Sequence, residues 1–130
     1  MNRLTAASVA AVLFVAASPA LALTNDNGVI VFTQADAING GVTAGDTPGF
    51  PVTISVGGSY RLGSNLAVTT AVNGIEVRAN EVTIDMAGFT LAGSGVGRNG
   101  ITSFNRSLRV ANGNIRGFTN DGIRTIAQYL

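Results

Sequence analysis

A glycine-rich stretch at residues 93–100 has spacing that could serve phosphate chemistry. It reads GSGVGRNG, and from Gly95 to Gly100 it fits the G-x-G-x-x-G template of a dinucleotide-binding turn. That template needs a strand before it and a helix that opens on its last glycine. The preceding GFTLAG alternates like a strand, but the following ITSFNRSLRV has no helical apolar period. The stretch is therefore predicted to be a backbone corner rather than a nucleotide site.

Composition excludes several kinds of active site. The chain has no Cys and no His, and all 8 of its basic residues are Arg. Without His or Cys there is no Ser-His-Asp triad, no Cys nucleophile and no ordinary zinc site. Catalysis would have to use carboxylates, Arg or Tyr, and the residues predict no catalytic group, metal ligand or cofactor.

The first 22 residues are predicted to be a secretory signal peptide. Arg3 gives a positive start, residues 4–17 are apolar, and Ala20-Leu21-Ala22 has the small-x-small pattern that precedes a cleavage site. A membrane anchor is the alternative, but the apolar run is shorter than the roughly 20 residues that a span needs. The mature chain is expected to be secreted, periplasmic or held at the cell envelope, with no membrane span after cleavage.

The charge of the mature chain is balanced overall and uneven along its length. Removing Arg3 from the 8 basic residues leaves 7 Arg against 7 acidic residues, so the basic footprint of a nucleic-acid-binding protein is missing. From Met86 onward, however, there are five Arg and one Asp. The downstream third is therefore locally basic, and no nucleic-acid partner is predicted.

A repeat runs through the chain. A Gly-Ile pair occurs at 74–75, 100–101 and 122–123, with spacings of 26 and 22 residues. Aligning the chain on this pair superposes further apolar positions, namely Val82 on Leu108, Ile84 on Val110 and Leu91 on Ile115. A looser earlier copy covers residues 51–68. Repeats of this length are typical of solenoids.

Each repeat contains about three short alternating segments, and this pattern predicts the fold. The connections are too short for the crossover helix that usually joins parallel strands. The segments can bury one face only if each repeat winds once and stacks on the next. Ile75, Ile101 and Ile123 would then form one inward stack with a spacing of about 4.8 Å. The predicted fold class is all-β, a single-stranded parallel β-helix.

Three strings carry a resemblance to known proteins: FPVTISVGGSYRLGSNLAV, NGIEVRANEVTIDMAGFTLAG and NGNIRGFTNDGIR. Over residues 50–126 the chain resembles the right-handed parallel β-helix repeat proteins of the pectate-lyase-like superfamily, in particular exported bacterial members. The resemblance implies a right-handed helix but little about function, since the superfamily includes polysaccharide lyases, glycosidases and adhesins. Members usually have many more coils than the roughly three expected here, so the chain is expected to be an N-terminal fragment.

Lyases of this superfamily hold Ca²⁺ with carboxylates from adjacent coils, beside an Arg or Lys base, because calcium takes several oxygen ligands. The expected stacks do not supply such a cluster. Asp85 is followed one coil later by Ala111. Glu76 is followed by Thr102 and then by Arg124. Asp85 is therefore interpreted as a solvated or corner-bonding carboxylate, and no metal site is predicted.

The candidate carbohydrate-binding residues are Arg109, Arg116 and Arg124. Arg109 and Arg124 are expected to project outward from successive coils, and Arg116 from a third wall. Their guanidinium groups could donate paired hydrogen bonds to carboxylate or sulfate groups on a glycan. The alternative is that they only keep a β surface soluble and block edge pairing. Tyr60 and Tyr129 could stack on sugar rings, but partial burial is expected for both.

The predicted organisation after the signal is a cap at residues 23–50, containing a VIVF strand and one helical turn in QADAIN, followed by repeats over 51–130 that are truncated at the C-terminus. Three functions stay open. The chain is a non-catalytic carbohydrate-binding or structural module, the beginning of a lyase or hydrolase of acidic polysaccharide with its site in later coils, or a purely structural surface protein. End-to-end self-association through the exposed last coil is expected.

Overall fold

The computed structural model describes residues 24–105 and 107–126. The predicted signal peptide, Arg106 and Tyr129 lie outside the described residues. Within the described part the chain forms short strands and one short helix, α1 (Gln34–Asn39). None of its helices is long and apolar enough to cross a membrane.

The strands belong to three sheets. Sheet A has the order β1 (Thr24–Asp26), β2 (Val29–Phe32), β4 (Gly58–Leu62), β7 (Val82–Asp85), β10 (Leu108–Ala111). Sheet B has the order β3 (Val52–Ile54), β6 (Ile75–Val77), β9 (Ile101–Ser103), β12 (Ile123–Thr125). Sheet C has the order β5 (Leu66–Ala67), β8 (Thr90–Ala92), β11 (Asn114–Arg116). All neighbouring strands are parallel except β1 and β2, which are antiparallel.

From β3 onward the chain passes through sheets B, A and C in turn, and we call each such pass a circuit. The first circuit covers residues 52–67, the second 75–92 and the third 101–116, after which β12 enters sheet B again. Every pass adds one strand beside the strand of the previous pass. The prediction of an all-β fold with parallel strands in stacked sheets is therefore confirmed.

The register of sheet B agrees with the expected isoleucine stack. Ile75 pairs with Ile101, and Ile101 pairs with Ile123. Ile75 and Ile101 are at most 1% exposed, whereas Ile123 is 47% exposed. Ile123 is exposed because β12 is the end strand of the described part of sheet B. The other expected pairs, Val82 with Leu108, Ile84 with Val110 and Leu91 with Ile115, are also in register.

The glycines of the Gly-Ile pairs allow the circuits to approach closely. A Cβ atom added to Gly74 would lie 2.6 Å from the carbonyl oxygen of Gly100, and one added to Gly100 would collide with the carbonyl oxygen of Gly122. Real Cβ atoms do not tolerate such contacts, so any larger residue would push the circuits apart. The recurrence in the sequence therefore marks the corner where sheet B begins.

Residues 24–50 contribute two strands and a helix. The VIVF strand, β2, lies in sheet A directly beside β4, so it joins the parallel stack. α1 begins after Thr33, whose side chain accepts a hydrogen bond from the Asp36 N–H while the Asp36 carboxylate accepts one from the Thr33 N–H. This capping box satisfies two N-terminal donors and sets the start of the helix.

Candidate functional site

The GSGVGRNG stretch is a corner without a helix, as predicted. It connects β8 to β9, with Gly95 at φ +78°. The ring of Phe118, one circuit later, packs against it: an added Cβ would lie 2.7 Å from that ring at Gly93 and 2.8 Å at Gly97. These two glycines make room for an aromatic ring, and no helix N-terminus is present to bind a phosphate.

A polar ladder runs beside the glycine corner. The Asn99 N–H and side-chain amide donate to Asn73 Oδ1 at 3.2 and 3.0 Å, and the Asp121 N–H donates to Asn99 Oδ1 at 3.1 Å. Asn73, Asn99 and Asp121 each precede a Gly-Ile pair. The recurring tripeptide is therefore Asn-Gly-Ile or Asp-Gly-Ile, and the repeat described above rests only on its Gly-Ile part. The ladder joins successive circuits through these hydrogen bonds.

The candidate site is a groove on the outward face of sheet A with a volume of about 220 Å³. Its polar lining comes from successive circuits and comprises Ser59, Arg61, Thr83, Asp85, Arg109 and Asn112. The register explains why they meet: Arg61 on β4 pairs with Asp85 on β7, and Thr83 on β7 pairs with Arg109 on β10. Alternation along each strand places these positions on the face opposite the core.

Asp85 is the acidic residue of the groove. Its Oδ1 accepts hydrogen bonds from the Ala87 N–H at 2.9 Å and the Asn112 amide at 3.2 Å, while Arg61 Nε lies 3.8 Å from Oδ2. The two hydrogen bonds, followed by the charges of Arg61 and Arg109, hold the pKa of Asp85 below its usual value. Asp85 is therefore an ionised, corner-bonding carboxylate, as the sequence analysis interpreted it.

Arg109 is the open cation of the groove. Its side chain is exposed, and it forms no hydrogen bond or ion pair with any residue that the structure describes. Its charge acts on Asp85, which lines the same depression. A guanidinium in this position can bind a carboxylate or sulfate group with two parallel hydrogen bonds.

The three candidate arginines are not brought together. Arg109 lies on β10 in sheet A, Arg116 on β11 in sheet C and Arg124 on β12 in sheet B. Arg124 Nη1 is 3.4 Å from Asp121 Oδ2, which gives it an anionic partner. Only Arg109 lines the groove. No sequence signal marks Arg61, which also lines the groove, because its copy of the repeat at residues 51–68 has no Gly-Ile pair.

A second hollow, of about 290 Å³, lies over the start of β6. Glu76 lines it, but both carboxylate oxygens are already used: Oε1 is 2.8 Å from Arg78 Nη2, and Oε2 accepts from the Asn73 amide at 3.0 Å. The Arg78 guanidinium also lies 4.4 Å from the centre of the Phe104 ring. The exposed Arg98 also lines the second hollow. Because Asn73 and Glu76 bind one another, however, this hollow offers fewer open polar groups to a ligand than the groove on sheet A.

Tyr60 is more buried than the sequence suggested. It is 1% exposed, and its hydroxyl donates to the Val56 carbonyl oxygen. Burial raises the pKa of Tyr60 above its usual value. The ring belongs to the core below the groove, so partial burial and sugar stacking at the surface are both wrong for this residue.

Neither a cluster of metal ligands nor a similar protein helps to identify the function of the groove. In residues 24–105 and 107–126 there is no group of three or more His, Cys, Asp or Glu side chains that could hold a metal ion. Comparison of the chain with protein-family models, curated proteins and solved structures gives no match. The argument for function therefore depends on the fold and on the groove of sheet A.

Proposed function

We propose that this chain forms a right-handed parallel β-helix module of an exported protein, and that the module binds polysaccharide without catalysis by its described residues. The observation that carries the proposal is the groove on sheet A, where the exposed Arg109 lies in the same depression as the ionised Asp85. The repeated B–A–C circuits support the helix, and the resemblance noted above supports its right-handed sense.

The groove suits a sugar chain because it presents donors and acceptors together. The Asp85 carboxylate can accept hydrogen bonds from sugar hydroxyls, and Ser59 and Thr83 can both donate and accept. The guanidinium of Arg109 can bind an acidic substituent, such as the carboxylate of a uronate. A surface of stacked short strands also extends along the helix axis, as an extended polysaccharide does.

The same residues argue against glycoside hydrolysis. That reaction ordinarily uses two carboxyl groups, one of which has a raised pKa so that it can act as the general acid. The groove contains one carboxyl group, Asp85, and its pKa is lowered. Asp85 is therefore suited to binding hydroxyls and not to protonating a leaving group.

Titration calorimetry with a uronate oligosaccharide and a neutral glucan of similar length tests the proposal. Arg109→Ala is expected to weaken uronate binding about tenfold or more, the usual effect of losing a charge-assisted contact. Arg116→Ala is the matched control, because Arg116 is also exposed but lies on sheet C, and its loss is expected to leave binding unchanged. Equal losses in the two variants, or no binding by the unaltered chain, would contradict the proposal.

The alternative is the N-terminal part of a lyase acting on acidic polysaccharide. It is favoured by one observation, the presence of both Arg61 and Arg109 in one groove, because an arginine could act as the base in such a lyase. Ultraviolet absorbance of unsaturated uronides distinguishes the two functions. We expect no absorbance increase when the chain is incubated with polygalacturonate, with or without calcium.

Export and self-association belong to the same proposal. A signal peptide over residues 1–22 would give an exported chain beginning at Leu23, which N-terminal sequencing of the secreted or periplasmic protein would detect.

The strands β10, β11 and β12 stand at one end of the three sheets, and Ile123 and Ile126 are exposed there. Association of two copies through this end is expected at high concentration.

A further inference from the structure

The corner between β8 and β9 holds Arg98 beside the second hollow. It covers residues 93–100, whereas the corner between β11 and β12 covers only residues 117–122. The main chain of Arg98 is fixed on both sides. Its N–H donates to the Val72 carbonyl oxygen at 2.8 Å, and its carbonyl oxygen accepts from the Asn120 N–H at 2.9 Å. Arg98 is therefore held between the corner of the previous circuit and the corner of the next.

The side chain of Arg98 is open, in contrast to its main chain. Arg98 is exposed, and its guanidinium forms no hydrogen bond or ion pair with residues 24–105 or 107–126. It lines the hollow of about 290 Å³ together with Glu76, but these two opposite charges do not pair with each other. A cation on a fixed main chain can bind an anion at a small cost in ordering.

Glu76 is the acidic residue of the hollow, and its carboxylate is held in place. Oε1 lies 2.8 Å from Arg78 Nη2, and Oε2 accepts from the Asn73 amide at 3.0 Å. Each carboxylate oxygen has two lone pairs and can accept a further hydrogen bond. The carboxylate can therefore accept hydrogen bonds from hydroxyl groups of a ligand while it keeps its present partners.

The rest of the lining is mostly apolar, since it comes from Pro51, Ala71 and Val72. A sugar ring presents C–H groups on its faces and hydroxyl groups at its edge, and small-molecule sites combine apolar walls with a few polar groups in the same way. The volume of about 290 Å³ is close to the lower end of the range for such sites. The hollow therefore suits a single sugar residue.

The charges of the hollow determine which acidic group fits. The Arg98 guanidinium can donate two parallel hydrogen bonds to a carboxylate. Glu76 lies in the same hollow and repels an anion in proportion to the charge of that anion. A phosphate group carries about −1.5 to −2 charges at neutral pH. A carboxylate, which carries a single charge, is therefore favoured over a phosphate.

We propose that this hollow is a second binding site and that its ligand is one hexuronate residue, with its carboxylate on Arg98 and its hydroxyl groups on Glu76. The site is distinct from the groove on sheet A, because the two have no lining residue in common. It also lies over the start of β6, which belongs to sheet B. The module then presents acidic sugars with two sites on two different walls.

NMR titration of the isotope-labelled full chain with galacturonate tests the site residue by residue. The backbone signals of Val72, Asn73 and Arg98 are expected to shift. Galactose, which lacks the carboxylate, is expected to bind there about tenfold more weakly or less, and inorganic phosphate is expected to bind more weakly than galacturonate. The signals around Asp85 report the groove on sheet A, so failure of the groove and failure of the second site are distinguishable.

Substitutions of Arg98 test the carboxylate contact. Arg98→Ala is expected to lower the affinity for galacturonate at the hollow about tenfold, to the level of galactose. Arg98→Lys keeps the charge but loses the paired hydrogen bonds, so an intermediate loss is expected. Arg116→Ala is the matched control, because Arg116 is exposed on sheet C and its loss should leave these shifts unchanged. Both alanine variants should stay folded, since each removes an exposed side chain.

Glu76→Gln tests the selection against phosphate. The amide keeps the shape of the side chain and removes its negative charge, so the affinity for phosphate relative to galacturonate is expected to rise roughly threefold or more. Arg78, which loses its anionic partner, has a side chain that is 53% exposed, so the fold should be retained. An unchanged ratio in Glu76→Gln, unchanged galacturonate affinity in Arg98→Ala, equal losses in Arg98→Ala and Arg116→Ala, or no shift at Val72 and Asn73 would each overturn the proposal.

Discussion

At the residue scale, the glycines serve packing and the charged groups line the surface. Gly93 and Gly97 accommodate the Phe118 ring, and the Gly-Ile glycines permit close approach of the circuits. The charged residues lie on the outward faces, where Arg61, Asp85 and Arg109 share one groove. Substitution of a glycine should therefore change stability, and substitution of a groove residue should change binding.

Gly93→Ala is expected to destabilise the fold by about 1–3 kcal/mol, the usual cost of overpacking. The new Cβ would lie 2.7 Å from the Phe118 ring and 2.6 Å from the Gly117 carbonyl oxygen, so the next circuit would have to shift. Urea unfolding followed by circular dichroism measures the change. Arg98→Ala is the neighbouring control, because the Arg98 side chain is exposed and its loss should alter stability by less than about 0.5 kcal/mol.

The lowered pKa of Asp85 predicts a dependence of stability on pH. A carboxyl whose pKa is lower in the folded state stabilises the fold above its unfolded pKa, and this contribution is lost as the pH falls through the folded pKa. The unaltered chain should therefore be more stable than Asp85→Asn above about pH 4, and the two should converge below it. Urea midpoints between neutral and strongly acidic pH provide the measurement. A constant difference over the whole range would contradict the assignment.

At the element scale, strands of two to five residues gain their stability from the neighbouring circuits. Such strands have few backbone hydrogen bonds of their own, and each buries one face against a shared core. Position in the stack should therefore decide the cost of a core substitution. Ile101 and Ile123 allow a direct comparison, because they carry the same side chain and are paired on adjacent strands of sheet B.

Ile101→Ala is expected to cost about 2–5 kcal/mol, because Ile101 is fully buried and its removal leaves a cavity. Ile123→Ala should cost less than half as much, because Ile123 is 47% exposed at the end of sheet B. Chemical denaturation of the two variants checks the difference. Equal costs would show that β12 is covered in solution by something other than the described residues.

The sequence predicts the strand order better than it predicts the groove and the contact between Gln34 and β5. Gly-Ile recurrence and apolar alternation suffice to align Ile75 with Ile101, because both follow from stacking identical circuits. The contact between Gln34 and Ala67 joins positions 33 residues apart and belongs to no repeat, so no periodic signal marks it. Arg61 was missed for a similar reason, since its copy of the repeat has no Gly-Ile pair to align it with Asp85.

At the scale of the whole molecule, the account depends on the register between circuits. Register places Arg61, Asp85 and Arg109 on one face of sheet A, and it makes the ends of the stack different from each other. A slip by one residue would turn the outward side chains into the core. The groove and the proposed polysaccharide binding would both be lost with it.

Disulfide formation between introduced cysteines tests this register most directly, because the chain has no cysteine of its own. Thr83 and Arg109 are directly paired, at a Cα separation near 4.8 Å that a disulfide can span. Thr83→Cys with Arg109→Cys is therefore predicted to cross-link on mild oxidation, as detected by peptide mass spectrometry. Thr83→Cys with Ala111→Cys, displaced by two residues and about 8 Å apart, is predicted to stay reduced. Cross-linking of the displaced pair, or of neither pair in a folded protein, would contradict the stacked circuits.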